Sequence, residues 1–137
     1  LMVTIAIVAI LASVALPSYT QYVVRGKLLE GKSSLLAMRT KMELYFQDNR
    51  SYVGACVAGT TAALPAALKH FSIECPAADL TATTYVVKVD GVGGDLTGLT
   101  MTIDQANVRR TVSVPAGWTL PVAPAAPCWI AKKSGEC

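Results

Sequence analysis

Four cysteines carry the most distinctive chemistry of this chain. They all lie in the last 87 residues, a stretch too short to build a large hydrophobic core, at positions Cys56, Cys75, Cys128 and Cys137. Such cysteines typically form disulfides in an oxidising compartment. Four cysteines allow three pairings. We expect sequence neighbours to pair, Cys56 with Cys75 and Cys128 with Cys137, because this closes two separate short loops.

The remaining reactive side chains do not form a recognisable metal or catalytic motif. The chain has no C-x-x-C pair, and its one histidine, His70, has no motif around it. Asp90 and Asp95 flank a glycine-rich turn, but no further oxygen ligands for calcium lie near them in sequence. Catalysis needs a poised nucleophile, an acid and base, or a metal. We therefore predict no catalytic residue, no metal and no cofactor.

Two basic pairs are the candidates for contact with an anionic partner such as DNA: Arg109, Arg110, Lys132 and Lys133. Side chains alternate across a strand, so only one member of each pair can share a face. Residues 25–50 hold six basic and three acidic side chains, whereas residues 51–137 hold six of each. The sequence thus predicts a neutral C-terminal region, and DNA binding is possible there but not favoured.

An apolar helix is predicted over residues 1–24, which carry no ionisable side chain. Its first 16 residues would span about 24 Å, somewhat short of the roughly 30 Å hydrocarbon core of a membrane, although the uncharged residues continue to Val24. Because Pro17 lacks an amide hydrogen, we expect a kink or melted turn around residues 9–17. The run begins abruptly, so we also expect residues to precede it. The residues predicted to contact a membrane or filament core are Leu1, Val3, Ile5, Ile7, Val8, Ile10, Leu11, Val14, Leu16 and Pro17.

The following residues continue as an amphipathic helix that should end near residue 49. Its apolar stripe recurs at steps of three and four and is predicted to pack on the chain's own sheet: Leu28, Gly31, Leu35, Met38, Met42 and Tyr45. After a loop region, antiparallel strands are predicted at 83–89, 99–104 and 110–114, and a last short strand or hairpin from Cys128. The predicted class is α+β, with an apolar helix at 1–24 and a globular head at 25–137.

This combination of features resembles the type IV pilins. The most specific stretch, at residues 1–22, is similar to the pilin N-terminal signature: LMVTIAIVAILASVALPSYTQY. Residues 102–118 and 128–137 are similar to small pilins and minor pilins of β- and γ-proteobacteria: TIDQANVRRTVSVPAGW and CWIAKKSGEC. The resemblance implies a long kinked helix on a small antiparallel sheet, with a disulfide-bonded C-terminal loop. It also implies a leader peptide, an N-methylated first residue and an early acidic residue, which we expect among residues that precede Leu1.

The resemblance implies a structural subunit of a type IV pilus, not an enzyme. Such a subunit is held in the bacterial inner membrane, then packed by the pilus assembly machinery with copies of itself or with other pilins into an extracellular filament (fimbrium). The filament would serve adhesion, twitching motility or a related pilus function. Alternatives are a DNA-binding competence pilin, a pseudopilin of type II secretion and a single-pass membrane protein. The C-terminal cysteine loop favours a pilus over a secretion system, and the cysteines argue against a cytoplasmic head.

Overall fold

The computed structural model describes residues 1–122 and 127–137, without the side chains of residues 16 and 17. It contains one long helix, α1 (Met2–Asn49), and a four-stranded sheet of β1 (Phe71–Glu74), β2 (Val86–Gly91), β3 (Thr100–Asp104) and β4 (Arg109–Ser113). The strands lie in the order β1-β2-β3-β4, and each pairs antiparallel with the next. The predicted α+β class is confirmed.

Helix α1 packs on the sheet through the apolar stripe that the sequence predicted. Leu28, Leu35 and Met42 are buried with the other members of the stripe. The helix ends at Asn49, because Arg50 adopts a left-handed conformation (φ 55°) and its amide donates to the Phe46 carbonyl at 2.8 Å. The helix is one element across residues 16 and 17. The kink was predicted from Pro17, whose side chain is outside the described part of the chain. The kink therefore stays a prediction.

The sheet buries one face against α1 and leaves the other face polar. Val87, Val89, Met101 and Ile103 alternate with part-exposed neighbours along β2 and β3. Other buried residues complete the core around them, including Phe71, Tyr85, Trp129 and Ile130. The head therefore has a single core, formed between α1, the sheet and the C-terminal segment.

The strands differ from the predicted ones in number and in where they begin and end. Strand β1 was predicted as loop, and it forms because its backbone pairs with β2. Strand β2 starts at Val86 rather than residue 83, since the Thr81 hydroxyl accepts the amides of Thr83 and Thr84 at 3.3 and 2.9 Å and holds a turn there. Strand β2 also extends to Gly91 rather than residue 89, β3 starts one residue later than predicted, and β4 starts and ends one residue earlier.

The C-terminal segment does not form the predicted strand at residues 128–130. It lies beside β4 and is held by a side chain: the Thr111 hydroxyl donates to the Cys128 carbonyl and accepts the Ile130 amide, each at 2.9 Å. A tight turn follows, in which the Gly135 amide donates to the Lys132 carbonyl at 3.1 Å.

Two disulfides, Cys56–Cys75 and Cys128–Cys137, have the predicted pairing, with Cα atoms 6.3 and 5.9 Å apart.

Candidate functional site

The two arginines of β4 lie on opposite faces of the sheet, as alternation requires. Arg109 is paired with the buried Ile103, so it lies on the face towards α1, and its guanidinium carbon is 5.0 Å from the centre of the Trp129 ring. Arg110 is paired with Thr102 on the outer face. Only Arg109 therefore shares a surface with helix α1.

The two lysines of the C-terminal turn lie at the junction between the head and the apolar part of α1. Lys132 forms an ion pair with Glu136, and the Lys133 ammonium is 5.7 Å from the centre of the Trp118 ring. The turn and the helix share a surface depression lined by Gln21, Val24, Arg25 and residues 131–134. The helix thus adds a cation, Arg25, to the two lysines.

Three adjoining depressions connect these cations into one continuous surface. Arg25 lines the first with both lysines, Arg25 and Lys32 line the second, and Lys32 and Arg109 line the third. We call this surface the basic face; its residues are Arg25, Lys32, Arg109, Lys132 and Lys133.

Burial and ion pairing shift two pKa values within the basic face. Burial lowers the pKa of the Lys32 ammonium. The pKa of the Glu136 carboxyl is also lowered, first by its hydrogen bond from Lys132 and further by the charge of Arg25. Glu136 is thus an acidic partner within this face, and its ion pair offsets the charge of Lys132.

Sequence reasoning missed two members of the basic face, Arg25 and Lys32. Their spacing indicates that both lie on one side of α1. Steps of four, three and four residues along that side connect Arg25, Leu29, Lys32 and Leu36. The pattern identifies a flank of the buried stripe but not which part of the chain lies beside it. That neighbour, the C-terminal segment, is about a hundred residues away in sequence.

Two cations elsewhere on the head, Lys88 and Lys27, form ion pairs with acidic groups. Lys88 contacts Glu74 at 2.6 Å and Asp90 at 3.1 Å, and its pKa is raised first by the hydrogen bond to Glu74 and then by that to Asp90. Lys27 lies 3.8 Å from Asp95. The contacts of Lys88 offset its charge on the outer face of the sheet, and Asp95 offsets the charge of Lys27 on α1.

His70 takes part in a structural contact with Glu30 of α1. The Glu30 carboxylate accepts the Lys69 amide at 2.7 Å and the His70 amide at 3.1 Å, and its Oε2 lies 2.8 Å from the His70 ring Nδ1. Burial raises the pKa of Glu30, but the hydrogen bonds outweigh it and the net pKa is lowered. In the described part of the chain, no group of three or more potential ligands is placed to hold a metal ion.

The first part of α1 leaves its large apolar side chains exposed. Its large apolar side chains from Leu1 to Val14 are each more than half exposed. Helix α1 contains a stretch apolar enough to cross a membrane, and none of that stretch is buried within the subunit. Tyr19 and Tyr22 are also exposed, just before the first charged residue, Arg25. An exposed apolar surface of this kind is typical of sites that contact a membrane or other proteins.

Comparison with known proteins assigns the chain to a family. Residues 17–98, more than half of the chain, match the family model described as "Type IV minor pilin ComP, DNA uptake sequence receptor". No solved structure matches the chain. The matched region includes most of α1, the Cys56–Cys75 disulfide, β1 and β2. A pilin is a structural filament subunit, in keeping with the resemblance of the N-terminal sequence. The chain therefore belongs to the family of type IV minor pilins.

Proposed function

We propose that this chain is a DNA-binding minor pilin, which co-assembles with other pilins through residues 1–24 and binds DNA through the basic face of its head. The observation that carries the proposal is the convergence of cations from three separate segments, α1, β4 and the C-terminal turn, on one surface. The description of the matching family, a DNA uptake sequence receptor, supports the same function.

The distribution of charge now favours DNA binding over a purely structural role. From sequence, the excess positive charge lay in residues 25–50, and residues 51–137 were neutral. In the folded chain, the amphipathic part of α1 packs on the sheet as predicted, and two of its cations lie on the same surface as those of β4 and the C-terminal turn. Arg25 and Lys32 thereby extend a patch that was limited to a few exposed cations in the sequence-based interpretation. Phosphate contacts provide the sequence-independent part of DNA affinity.

The length of the basic face suits a nucleic acid backbone. Arg25 and Lys32 are seven residues apart on α1, which corresponds to about 10 Å along the helix axis. A DNA strand places one phosphate in about 3.4 Å of duplex axis, so this distance spans about three phosphates. Five cations on one face set an upper slope of about −4.5 for log affinity against log salt concentration.

The apolar part of α1 supports the assembly half of the proposal. In the bacterial inner membrane, lipid would surround the exposed side chains of residues 1–15. In an extracellular pilus, the equivalent helices of neighbouring pilins would provide the same apolar environment. Transfer between the two environments would require the pilus assembly machinery, because exposing the apolar surface to water raises the free energy.

A salt titration of DNA binding tests the proposal. The full chain in nonionic detergent is mixed with a fluorescent DNA duplex, and affinity is measured by anisotropy at several salt concentrations. We expect Arg109→Gln and Lys133→Gln each to weaken binding and to reduce the slope by about 0.9. Arg110→Gln is the matched control, since it removes the same charge from the outer face. An equal loss in Arg110→Gln, or no binding by the unchanged chain, would contradict the proposal.

A second measurement separates the DNA receptor from a subunit for adhesion or motility. Cells carrying Arg109→Gln together with Lys133→Gln should retain pili but lose DNA uptake, because the apolar part of α1 is unchanged. Electron microscopy counts the pili, and transformation measures uptake. Normal uptake in this strain, with pili lost only when the whole chain is deleted, would favour the structural role.

A further inference from the structure

We propose that, before assembly, the lower end of the basic face binds the headgroups of anionic phospholipids. This end consists of Arg25, Lys132 and Lys133, which we call the basal cluster. The inference rests on the membrane stage of the proposed function and adds to it a lipid site on the C-terminal turn. The ligand chemistry is a phosphodiester in a membrane surface with net negative charge.

The depth of the basal cluster follows from the residues just before it. The uncharged run ends at Val24, and the exposed Tyr19 and Tyr22 rings lie within its last turns. Tyrosine is enriched where the hydrocarbon core meets the headgroups, since its ring is apolar and its hydroxyl is polar. Arg25 follows Tyr22 by three residues, about 4.5 Å along the helix axis. Arg25 therefore reaches the level of the lipid phosphates when the tyrosines lie at the boundary.

The C-terminal turn is held at this same level by the fold. The depression that it shares with α1 joins residues 131–134 to Gln21, Val24 and Arg25. The Lys133 carbonyl accepts the Thr119 amide at 2.9 Å, and the Cys128–Cys137 disulfide encloses the turn. Lys132 and Lys133 are both exposed. A segment near the end of the chain thus lies beside the point where α1 would leave the membrane.

The basal cluster has the chemistry that phosphodiester headgroups require. Arginine presents a planar set of donors that suits phosphate oxygens, and lysine adds a mobile point charge. Lys132 shares its charge with Glu136, so the cluster keeps a net positive charge. On the other side of α1, Lys27 is paired with Asp95. The attraction is therefore one-sided, and we expect it to hold the head in one orientation on the membrane.

Hydrogen exchange in lipid nanodiscs tests this site with the full chain. One set of discs contains phosphatidylcholine alone, and the other contains a mixture with phosphatidylglycerol. We expect the backbone amides of residues 131–136 to exchange more slowly in the anionic discs. Lys132→Gln with Lys133→Gln should abolish this difference. Retention of phosphatidylglycerol, measured by native mass spectrometry, should fall roughly fivefold for each cation removed. Arg110→Gln, on the outer face of the sheet, should leave both measurements unchanged.

Three outcomes would overturn the lipid site. Equal exchange in the two kinds of disc would show that the turn does not contact headgroups. An equal effect of Arg110→Gln would show that net charge alone is responsible. Equal protection by inorganic phosphate in the phosphatidylcholine discs would indicate a general phosphate site. DNA binding measured in the phosphatidylcholine discs reports independently on the proposed function, so the two can fail separately.

Discussion

Glu30 shows how a single carboxylate in the middle of a helix can fix the course of a distant loop. Its two oxygens accept two consecutive backbone amides and lie against the His70 ring, thirty-nine and forty residues further along the chain. These contacts direct the chain into β1 immediately before Phe71. The one histidine of the chain thus has a structural partner, and its position in the fold is explained without catalysis.

We expect the Glu30 contact to make stability depend on pH in the acid range. Because the folded-state pKa of Glu30 is lowered, its contribution is present above the unfolded pKa, about 4.3, and is lost as the pH falls through the folded value. Glu30→Gln should lower the free energy of unfolding by about 1–3 kcal/mol at neutral pH. The difference should shrink as the pH falls, and urea unfolding followed by tryptophan fluorescence measures it. Asp79→Asn, an exposed control, should change little; a pH-independent effect of Glu30→Gln would contradict this account.

Two helical glycines offer a second test at the level of single residues. A Cβ atom placed on Gly31 would lie 3.0 Å from the buried Phe71 ring, whereas nothing lies within 4 Å of one placed on Gly26. Alanine favours the helix over glycine by about 1 kcal/mol at either position. We expect Gly26→Ala to stabilise the head. Gly31→Ala should destabilise it, since overpacking a core costs about 1–3 kcal/mol.

Thermal unfolding of the two variants in the same detergent provides the comparison. Opposite shifts of the midpoint support close packing of α1 on β1. Stabilisation by both substitutions would show that the Phe71 ring moves aside freely, which its burial in the core argues against.

At the scale of elements, the two disulfides secure different parts of the head. Cys56–Cys75 ties the loop after α1 to the end of β1, and Cys128–Cys137 closes the turn that carries two cations of the basic face. Peptide mapping without reduction should recover these two pairs. Each bond is expected to contribute about 2–4 kcal/mol by restricting the unfolded chain. Crossed pairs or free thiols would contradict the fold of both segments.

Removing each bond separately should have separate effects. Cys128→Ser with Cys137→Ser should increase amide exchange in residues 131–136 and weaken DNA binding, because the lysines lose their fixed position. Cys56→Ser with Cys75→Ser should increase exchange in residues 50–75 and leave DNA binding nearly unchanged. Equal loss of DNA binding in both variants would indicate that the head unfolds as one unit.

At the scale of the whole molecule, the chain combines an apolar helix that needs partners with a head that has its own core. We expect α1 to be interrupted near Pro17 in the filament and more continuous in the isolated subunit. The proline leaves the Ser13 carbonyl without its usual helical donor, so little is lost when the turn extends to fit neighbouring helices. Pro17→Ala should strengthen the isolated helix by up to about 3 kcal/mol and impair assembly. A filament map with an unbroken, straight helix from Leu1 to Tyr45 would contradict this expectation.

The sequence by itself determined the features that depend on local patterns. The buried stripe of α1 and the helix end at Asn49 follow from spacing and from residue type over a few turns. The apolar run and its termination at Arg25 are visible in the same way. Neighbouring cysteines close short loops, so their pairing also followed from proximity along the chain. Each of these features is controlled by residues that lie close together in sequence.

Only the tertiary structure decided which distant segments share a surface. Strand β1 has only four residues, too few for a strand to be predicted from their pattern. It forms because its backbone pairs with β2. The basic face unites Arg25 and Lys32 with Arg109 and the C-terminal lysines because the C-terminal segment packs along one flank of α1. Helical periodicity specifies that flank but not its neighbour. The C-terminal segment lies beside this flank because Trp129 and Ile130 are buried in the core. This contact joins distant parts of the chain, and no local sequence pattern encodes it.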